Sequence, residues 1–443
     1  MKLSALSPKQ LVEIEACTRC GECLKVCPVY AQRNEEEIDP RGKIQAFKTF
    51  IRSQYGLWAK IFGPKKLDEE KLKKFSEMVY RCTLCGECSV SCPVSIDAKH
   101  LWTALRETLV EMGHFPEAAK RMKANVLKAH NVSGDENEER TEWLEFLDEL
   151  PDHQYQKEKA EVAFFVGCVA SFFPLVQKIP LAFVQILNKA EVDFTLLGGE
   201  EWCCGFPLIG AGMRKEAEVL IQHNLEMVKE KDIKRVVFAC PSCYHTWMEE
   251  YKTDIEIFHS TQFIKKLIDE GKITFKEKKI KVTYHDPCDL GRASGVYEAP
   301  RQILRAIPGV ELIEMENNRE QCKCCGGGGN LEMVDPDLSA ALAQEKINQI
   351  QATGADTVIT ACQQCVRTIL TTARRKEIPI DAMDITEFVL KNMKACVVGA
   401  IHESPVRSSE RSFALLRMTL PTPNYLLCKW TNILSSMLCF SPR

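Results

Sequence analysis

The residues with the greatest chemical capacity in this 443-residue chain are its 22 cysteines, and spacing sorts most of them into two kinds of group. Near the start, Cys17-Thr-Arg-Cys20-Gly-Glu-Cys23-Leu-Lys-Val-Cys27-Pro28 is matched by Cys82-Thr-Leu-Cys85-Gly-Glu-Cys88-Ser-Val-Ser-Cys92-Pro93. Both runs fit C-x2-C-x2-C-x3-C-P. Two-residue spacings wrap a turning backbone so that three thiolates converge while amide N–H groups face the same centre, which is the donor set of a cubane 4Fe-4S cluster. In two-cluster ferredoxins the fourth cysteine of each run crosses to the other cluster. On that rule one cluster takes Cys17, Cys20, Cys23 and Cys92, and the other takes Cys82, Cys85, Cys88 and Cys27. Zinc also uses paired C-x2-C spacings, but eight cysteines in two like runs, each closed by proline, fit the iron reading better.

The second kind of group carries five thiols. Cys168, Cys203-Cys204-Gly205 and Cys240-Pro-Ser-Cys243 are followed by Cys288, Cys324-Cys325-Gly326 and Cys362-Gln-Gln-Cys365. Cys168 to Cys288 is 120 residues, Cys203 to Cys324 is 121, and Cys240 to Cys362 and Cys243 to Cys365 are each 122, so the region is an internal duplication with two equivalent sites.

These two motifs, with the paired runs ahead of them, resemble the family of the heterodisulfide reductase D-type subunits and their relatives over about residues 1 to 396. The relatives include iron-sulfur subunits of glycerol-3-phosphate dehydrogenase and glycolate oxidase. The resemblance implies two CCG domains, each with a non-cubane 4Fe-4S cluster: one on Cys168, Cys203, Cys204, Cys240 and Cys243, the other on Cys288, Cys324, Cys325, Cys362 and Cys365. It further implies an oxidoreductase component that passes single electrons through the cubane clusters to a CCG site able to split a small disulfide into thiols. The same ten positions equally suit a non-catalytic relay docked on a flavoprotein that oxidises glycolate, lactate, glycerol 3-phosphate or an acyl-CoA-linked donor.

The elements that must position these thiols follow from patterning. The 55-residue step from Cys27 to Cys82 is longer than in compact ferredoxins, and Ile44, Phe47, Phe50, Ile51, Leu57 and Ile61 recur within it at helical spacing. Residues 1–110 are therefore expected as a helical dicluster ferredoxin domain, and 111–160, rich in Asp and Glu, as a solvated, charged helical linker. From 161 to 396, short apolar runs alternate with amphipathic stretches, the pattern of an α/β multidomain fold with parallel sheets, divided here into CCG domains at 161–275 and 276–396. Strands are expected at 162–166, 194–197, 235–238, 255–258, 280–284, 310–314 and 357–360. Cys168, Cys240, Cys288 and Cys362 follow strand ends, where open α/β sheets place ligands. The tail 397–443, with Cys428 and Cys439, is expected to be peripheral and poorly ordered.

Among the remaining residues, Gly326-Gly327-Gly328-Gly329 lacks the Lys-Ser/Thr of a phosphate loop and reads as close backbone approach to a cluster. Cys322 reads as a bystander thiol, and Cys396, Phe164-Phe165 and Phe172-Phe173 as packing. His285, Arg292 and His245 flank the motifs and either support the cluster surroundings or serve a substrate.

Composition limits the alternatives. With 58 Lys+Arg against 61 Asp+Glu the net charge is −3, which offers no general attraction for nucleic acid. The start has no apolar leader segment and no stretch reaches the length of a membrane span, so the expected location is cytoplasmic, peripheral to the inner membrane face only through a partner subunit. No nicotinamide, flavin or haem fingerprint is present. Electrons are therefore expected from a partner, a flavoprotein dehydrogenase or a membrane cytochrome b subunit.

Overall fold

A computed structural model describes residues 5–33, 39–151 and 154–394; Cys396 and the expectations for 397–443 lie outside the described residues. The N-terminal region is helical. Its longest helix, Pro40–Tyr55, starts on an Asp39 N-cap with Pro at the first position, and it buries Ile44 and Phe47. The helices Glu69–Tyr80 and Ala98–Glu111 complete a core in which Phe47, Phe75, Leu101, Trp102 and Leu105 are buried. The expected helical stripe does not all turn inward: in the short helix Leu57–Phe62, Leu57 and Ile61 face solvent with Trp58 and Phe62.

The stretch expected as a solvated helical linker is helical, but part of it is buried. Helix Glu117–Ala129 buries Ala119, Met122 and Val126 against Cys168 and Cys203, and a following 3-10 helix at Asn137–Phe146 buries Arg140 and Trp143. Charge density misleads here because Arg140 is paired inside the protein rather than solvated: its Nη1 lies 2.9 Å from Glu201 Oε1, with both side chains 1% exposed.

Two four-stranded parallel sheets follow. In the first lobe β1 (Val162–Phe165), β2 (Phe194–Leu196), β3 (Arg235–Phe238) and β4 (Glu256–His259) lie in the order β2-β1-β3-β4. In the second, β5 (Ile280–His285), β6 (Val310–Leu312), β7 (Thr357–Thr360) and β8 (Ala382–Asp384) repeat it as β6-β5-β7-β8. Sequence patterning located seven of these eight strands. It missed β8, three residues long and ended by Asp384, the N-cap of helix Ile385–Asn392. β1 and β5 sit centrally, each paired on both sides, and β1 is a continuous buried apolar run, Val162-Ala-Phe-Phe165.

The lobes join about a local pseudo-twofold. Helix Lys178–Lys189 of the first packs on Ile385–Asn392 of the second, and Ser260–Asp269 packs on Glu298–Ala306. One apolar cluster runs from Phe164 and Phe183 in the first lobe to Ile385 and Phe388 in the second.

Candidate functional site

Strand ends carry the thiols. Gly167, at φ +80°, turns the chain from β1 into the helix that begins at Cys168, and Cys240 and Cys362 cap the helices that follow β3 and β7. These are helix N-termini, where the peptide dipoles favour thiolate over thiol. Cys203-Cys204 and Cys324-Cys325 each end on a glycine in the left-handed region, Gly205 at φ +92° and Gly326 at φ +90°.

All ten of these cysteines, Cys168, Cys203, Cys204, Cys240, Cys243, Cys288, Cys324, Cys325, Cys362 and Cys365, line one cavity of about 400 Å³. The duplication predicts two equivalent sites, and in the structure both face one shared chamber, because the pseudo-twofold turns the strand ends of both lobes toward each other. The two sets meet at Cys240 and Cys362, whose thiols are close enough to interact.

The thiols crowd one another. Cys325 Sγ and Cys365 Sγ are 3.3 Å apart, and backbone amides approach sulfur at Gly326 N to Cys324 Sγ and Cys365 N to Cys362 Sγ, both 3.4 Å. Hydrogen bonding to Cys203 and Cys243 pulls the Cys204 pKa down to about 6, while hydrogen bonding to Cys204 and Cys240, with burial, pushes Cys243 well up. The corresponding Cys325 is pulled down by Cys324, Cys365 and His285, and Cys365 is pushed up by Cys325 and Cys362. Buried thiolates this close repel unless a cation lies among them, so the donor set fits a thiophilic, positively charged metal group.

The N-terminal runs sort into two sets. Cys17, Cys20, Cys23 and Cys92 line one small cavity, which Cys88 also borders, and Cys20 is exposed. Burial raises the Cys27 pKa to about 12, and the thiols acting on it include Cys82 and Cys85. Cys88 is raised by burial and then by Cys82, Cys85 and Cys27, so Cys27 stands among the thiols of the second run.

The second set touches the CCG chamber. Cys85 is held well below the usual thiol range by a hydrogen bond with Cys324 and by the Arg292 guanidinium, against the upward push of burial. Arg292, one of the flanking residues noted in the sequence, uses Nε to donate to Cys85 O at 2.9 Å and Nη1 to donate to Cys322 O at 2.5 Å. It therefore bridges the ferredoxin-type loop and the second lobe by its backbone contacts. His245 lies in a similar junction: its Nε2 is 3.3 Å from Lys99 Nζ, which pairs with Asp289 at 3.0 Å.

The glycine run does allow close approach: Gly327, Gly328 and Gly329 line the ten-thiol chamber, and two of them also meet backbone of a cysteine-bearing loop. A methyl group on Gly329 would lie 2.4 Å from Cys82 O, and one on Gly328 would lie 2.8 Å from Thr83 O. The glycines thus admit the backbone of the loop that carries Cys82 and Cys85. Arg106, which sequence reasoning missed, locks the same junction. Fully buried, it donates to Cys82 O at 2.8 Å, Gly329 O at 2.9 Å and Gly210 O at 2.6 Å, tying the N-terminal region to both lobes. Its only sequence signal is an arginine on the apolar face of a helix.

Cys322, expected as a bystander thiol, has two polar neighbours. Its Sγ is 3.4 Å from His285 Nδ1 and 3.8 Å from the buried Lys346 Nζ. Burial opposes the thiolate, but Lys346 and His285 bring the Cys322 pKa to about 7. His285 also stands within 4.8 Å of the Cys325 and Cys365 sulfurs, a grouping able to hold a metal ion. Of the aromatic pairs, Phe164 and Phe165 are core, while Phe172 and Phe173 carry the guanidinium groups of Arg140 and Arg367 at 5.3 and 4.8 Å from their ring centres.

Comparison with known proteins adds the lineage. A cysteine-rich domain family matches residues 162–247 and again 282–369, and a 4Fe-4S dicluster domain family matches 13–96. The D-type subunit of dihydromethanophenazine:CoB–CoM heterodisulfide reductase from Methanosarcina mazei is 36% identical over 396 residues, covering 87% of this chain and 95% of the relative. The chain belongs to the family of heterodisulfide reductase D-type subunits. It is an iron-sulfur oxidoreductase subunit of α/β architecture with a dicluster domain at its N-terminus. EtfAB:quinone oxidoreductase of Syntrophomonas wolfei is 29% identical over 427 residues, 87% of this chain and 59% of that protein. A hypothetical protein from Helicobacter pylori shares the fold, with a TM-score of 0.52, 10% identity, and coverage of 87% of this chain and 72% of that one. The Methanosarcina relative is named as one subunit of its reductase, and no described helix of this chain is long and apolar enough to cross a membrane.

Proposed function

We propose that this protein takes single electrons from a partner and delivers them, two at a time, to a disulfide bound in the ten-thiol chamber. The observation that carries this reading is the convergence of both five-cysteine sets on one cavity of about 400 Å³, which brings two metal-binding sets close enough to act on the two halves of one small disulfide. Reduction then breaks one S–S bond with two electrons and two protons and releases two thiols. In this reading Cys17, Cys20, Cys23 and Cys92 hold one cubane 4Fe-4S cluster, Cys82, Cys85, Cys88 and Cys27 hold a second, and each CCG set holds a non-cubane 4Fe-4S cluster. When bound, such clusters supply one-electron storage and iron open to sulfur.

The remaining work belongs to the chain itself. Cys85 and Cys324 make contact between the second cubane set and the second lobe, and Cys362 and Cys240 make it between the lobes, which supports the order N-terminal region, second lobe, first lobe. Asp289, Glu332 and Arg367 are the charged residues on the cavity wall, with Arg367 paired to Glu332 and Asp289 to Lys99, and they give a bound substrate polar groups to orient against. We take the functional units as 1–110, 161–275 and 276–396, and the partner as a flavoprotein dehydrogenase or a membrane cytochrome b subunit. The name of the Methanosarcina relative supports a heterodisulfide as the substrate class.

A relay role is the second reading, favoured by the likeness to an electron-transfer quinone oxidoreductase. Electron paramagnetic resonance on anaerobic, oxidised protein separates the two. Disulfide reduction is expected to give a signal that appears only with added thiol or disulfide and is lost in Cys204→Ser or Cys325→Ser. Four clusters without such a response support the relay, and iron for two clusters alone removes the CCG sites from both readings.

A further inference from the structure

The two CxxC pairs enclose different residues: Pro241 and Ser242 in the first lobe, Gln363 and Gln364 in the second. Pro241 has no N–H to offer, whereas the Gln363 side chain brings two donors and an acceptor. Gln363 is 1% exposed and lines the ten-thiol chamber, yet neither its Nε2 nor its Oε1 has a hydrogen-bond partner among the described residues. An amide left unpaired in the interior is costly. Its partner is therefore whatever occupies the chamber.

Position narrows that partner. A methyl group placed on Gly167 would lie 3.5 Å from Gln363 Nε2, 3.1 Å from Cys243 Sγ and 3.7 Å from Cys240 Cβ. Gln363 belongs to the second lobe, but its amide lies beside first-lobe Gly167, the position that Cys243 Sγ and Cys240 Cβ also border. Gly167 leaves the space for this: a methyl group there would press on the Cys243 sulfur and come into contact with the amide.

We propose that Gln363 is a cross-lobe tuning residue, donating its N–H to the sulfur of the iron-sulfur group held by Cys168, Cys203, Cys204, Cys240 and Cys243. The proposal rests on the function argued above. A hydrogen bond to cluster or ligand sulfur stabilises the more negative, reduced state and raises the potential. The first-lobe site is the more distant from Cys85, so a raised potential there draws the second electron across the lobe boundary. The second lobe gains no such donor in return, because Pro241 occupies the corresponding place; its own polar neighbours are His285, Lys346 and Cys322.

The test uses the full chain with its clusters and two variants: Gln363→Leu, which removes the donor, and Gln363→Glu, which keeps the shape but replaces the donor by a charge. Potential-poised paramagnetic resonance should show one CCG species shifted to lower midpoint in Leu and lower still in Glu, with the other species and both cubane species unmoved. Electron-nuclear double resonance in D2O should lose one exchangeable proton coupling in both variants. Unchanged midpoints and couplings with full iron content overturn this inference and leave the function standing. A shift that appears only with thiol or disulfide present overturns it in favour of substrate binding. Absence of CCG iron in the wild-type protein overturns the functional reading itself.

Discussion

Cys204 and Cys325 occupy corresponding places in the two lobes, and both are drawn toward thiolate by the thiols around them. Replacing either by serine is expected to remove about four irons per chain and leave the cubane signals intact, by iron and sulfide determination on anaerobic protein. Arg140 is a different kind of residue. It holds Glu201, whose oxygens accept from the Val166 and Gly167 amides at 2.8 Å, so that this pair shapes the turn leading to Cys168. Arg140→Met leaves a buried carboxylate without its cation and is expected to cost about 3–5 kcal/mol, read as a lowered denaturant midpoint. Glu201→Gln keeps only one acceptor oxygen for the Val166 and Gly167 amides and removes the counter-charge of Arg140, so it should also lower the denaturant midpoint.

At the scale of elements, β4 passes into helix Ser260–Asp269 through His259, whose Nδ1 accepts from Thr261 N at 3.3 Å. Burial lowers the His259 pKa from 6.5 to about 3, so it is neutral in the folded state. The unfolded chain binds the proton more readily, and the fold therefore loses stability as pH falls from the unfolded value toward 3. Between pH 7 and pH 5 the loss is about 2 kcal/mol. His259→Asn, which retains a capping side chain, should flatten that part of the pH–stability curve in urea titrations. The glycine run makes a steric prediction: Gly329 has φ +61° and no room beside Cys82 O, so Gly329→Ala should weaken the seating of the Cys82 loop on the second lobe. Slower electron transfer to the CCG species, with unchanged iron content, is the expected result in freeze-quench kinetics.

Across the whole molecule, one continuous apolar cluster serves both lobes, so they are expected to unfold together rather than in turn. Calorimetry should give a single transition for the two. Arg106 is the fastening between the N-terminal region and that unit, with its guanidinium satisfied by carbonyls from all three parts. Arg106→Met strands those carbonyls in the interior and is expected to cost on the order of 3 kcal/mol, splitting the N-terminal transition from the rest.

The sequence by itself determined the cysteine runs and the duplication, read from spacing, and the parallel α/β plan, read from apolar patterning, because all of these depend on local geometry: a turn length, a strand-to-helix step, a repeat offset. It located Cys240 and Cys362 at strand ends for the same reason. The charged stretch after residue 110 was not legible, because composition reports charge and not its partner, and Arg140 finds Glu201 61 residues away. Only the tertiary structure decided that two five-thiol sets share one chamber, that Cys85 meets Cys324, and that Gln363 of one lobe lies beside Gly167 of the other. Each of these depends on how two sheets and a helical region are oriented in space, which is set by the packing of the helix pairs and by Arg106, and no periodicity in the chain encodes that orientation.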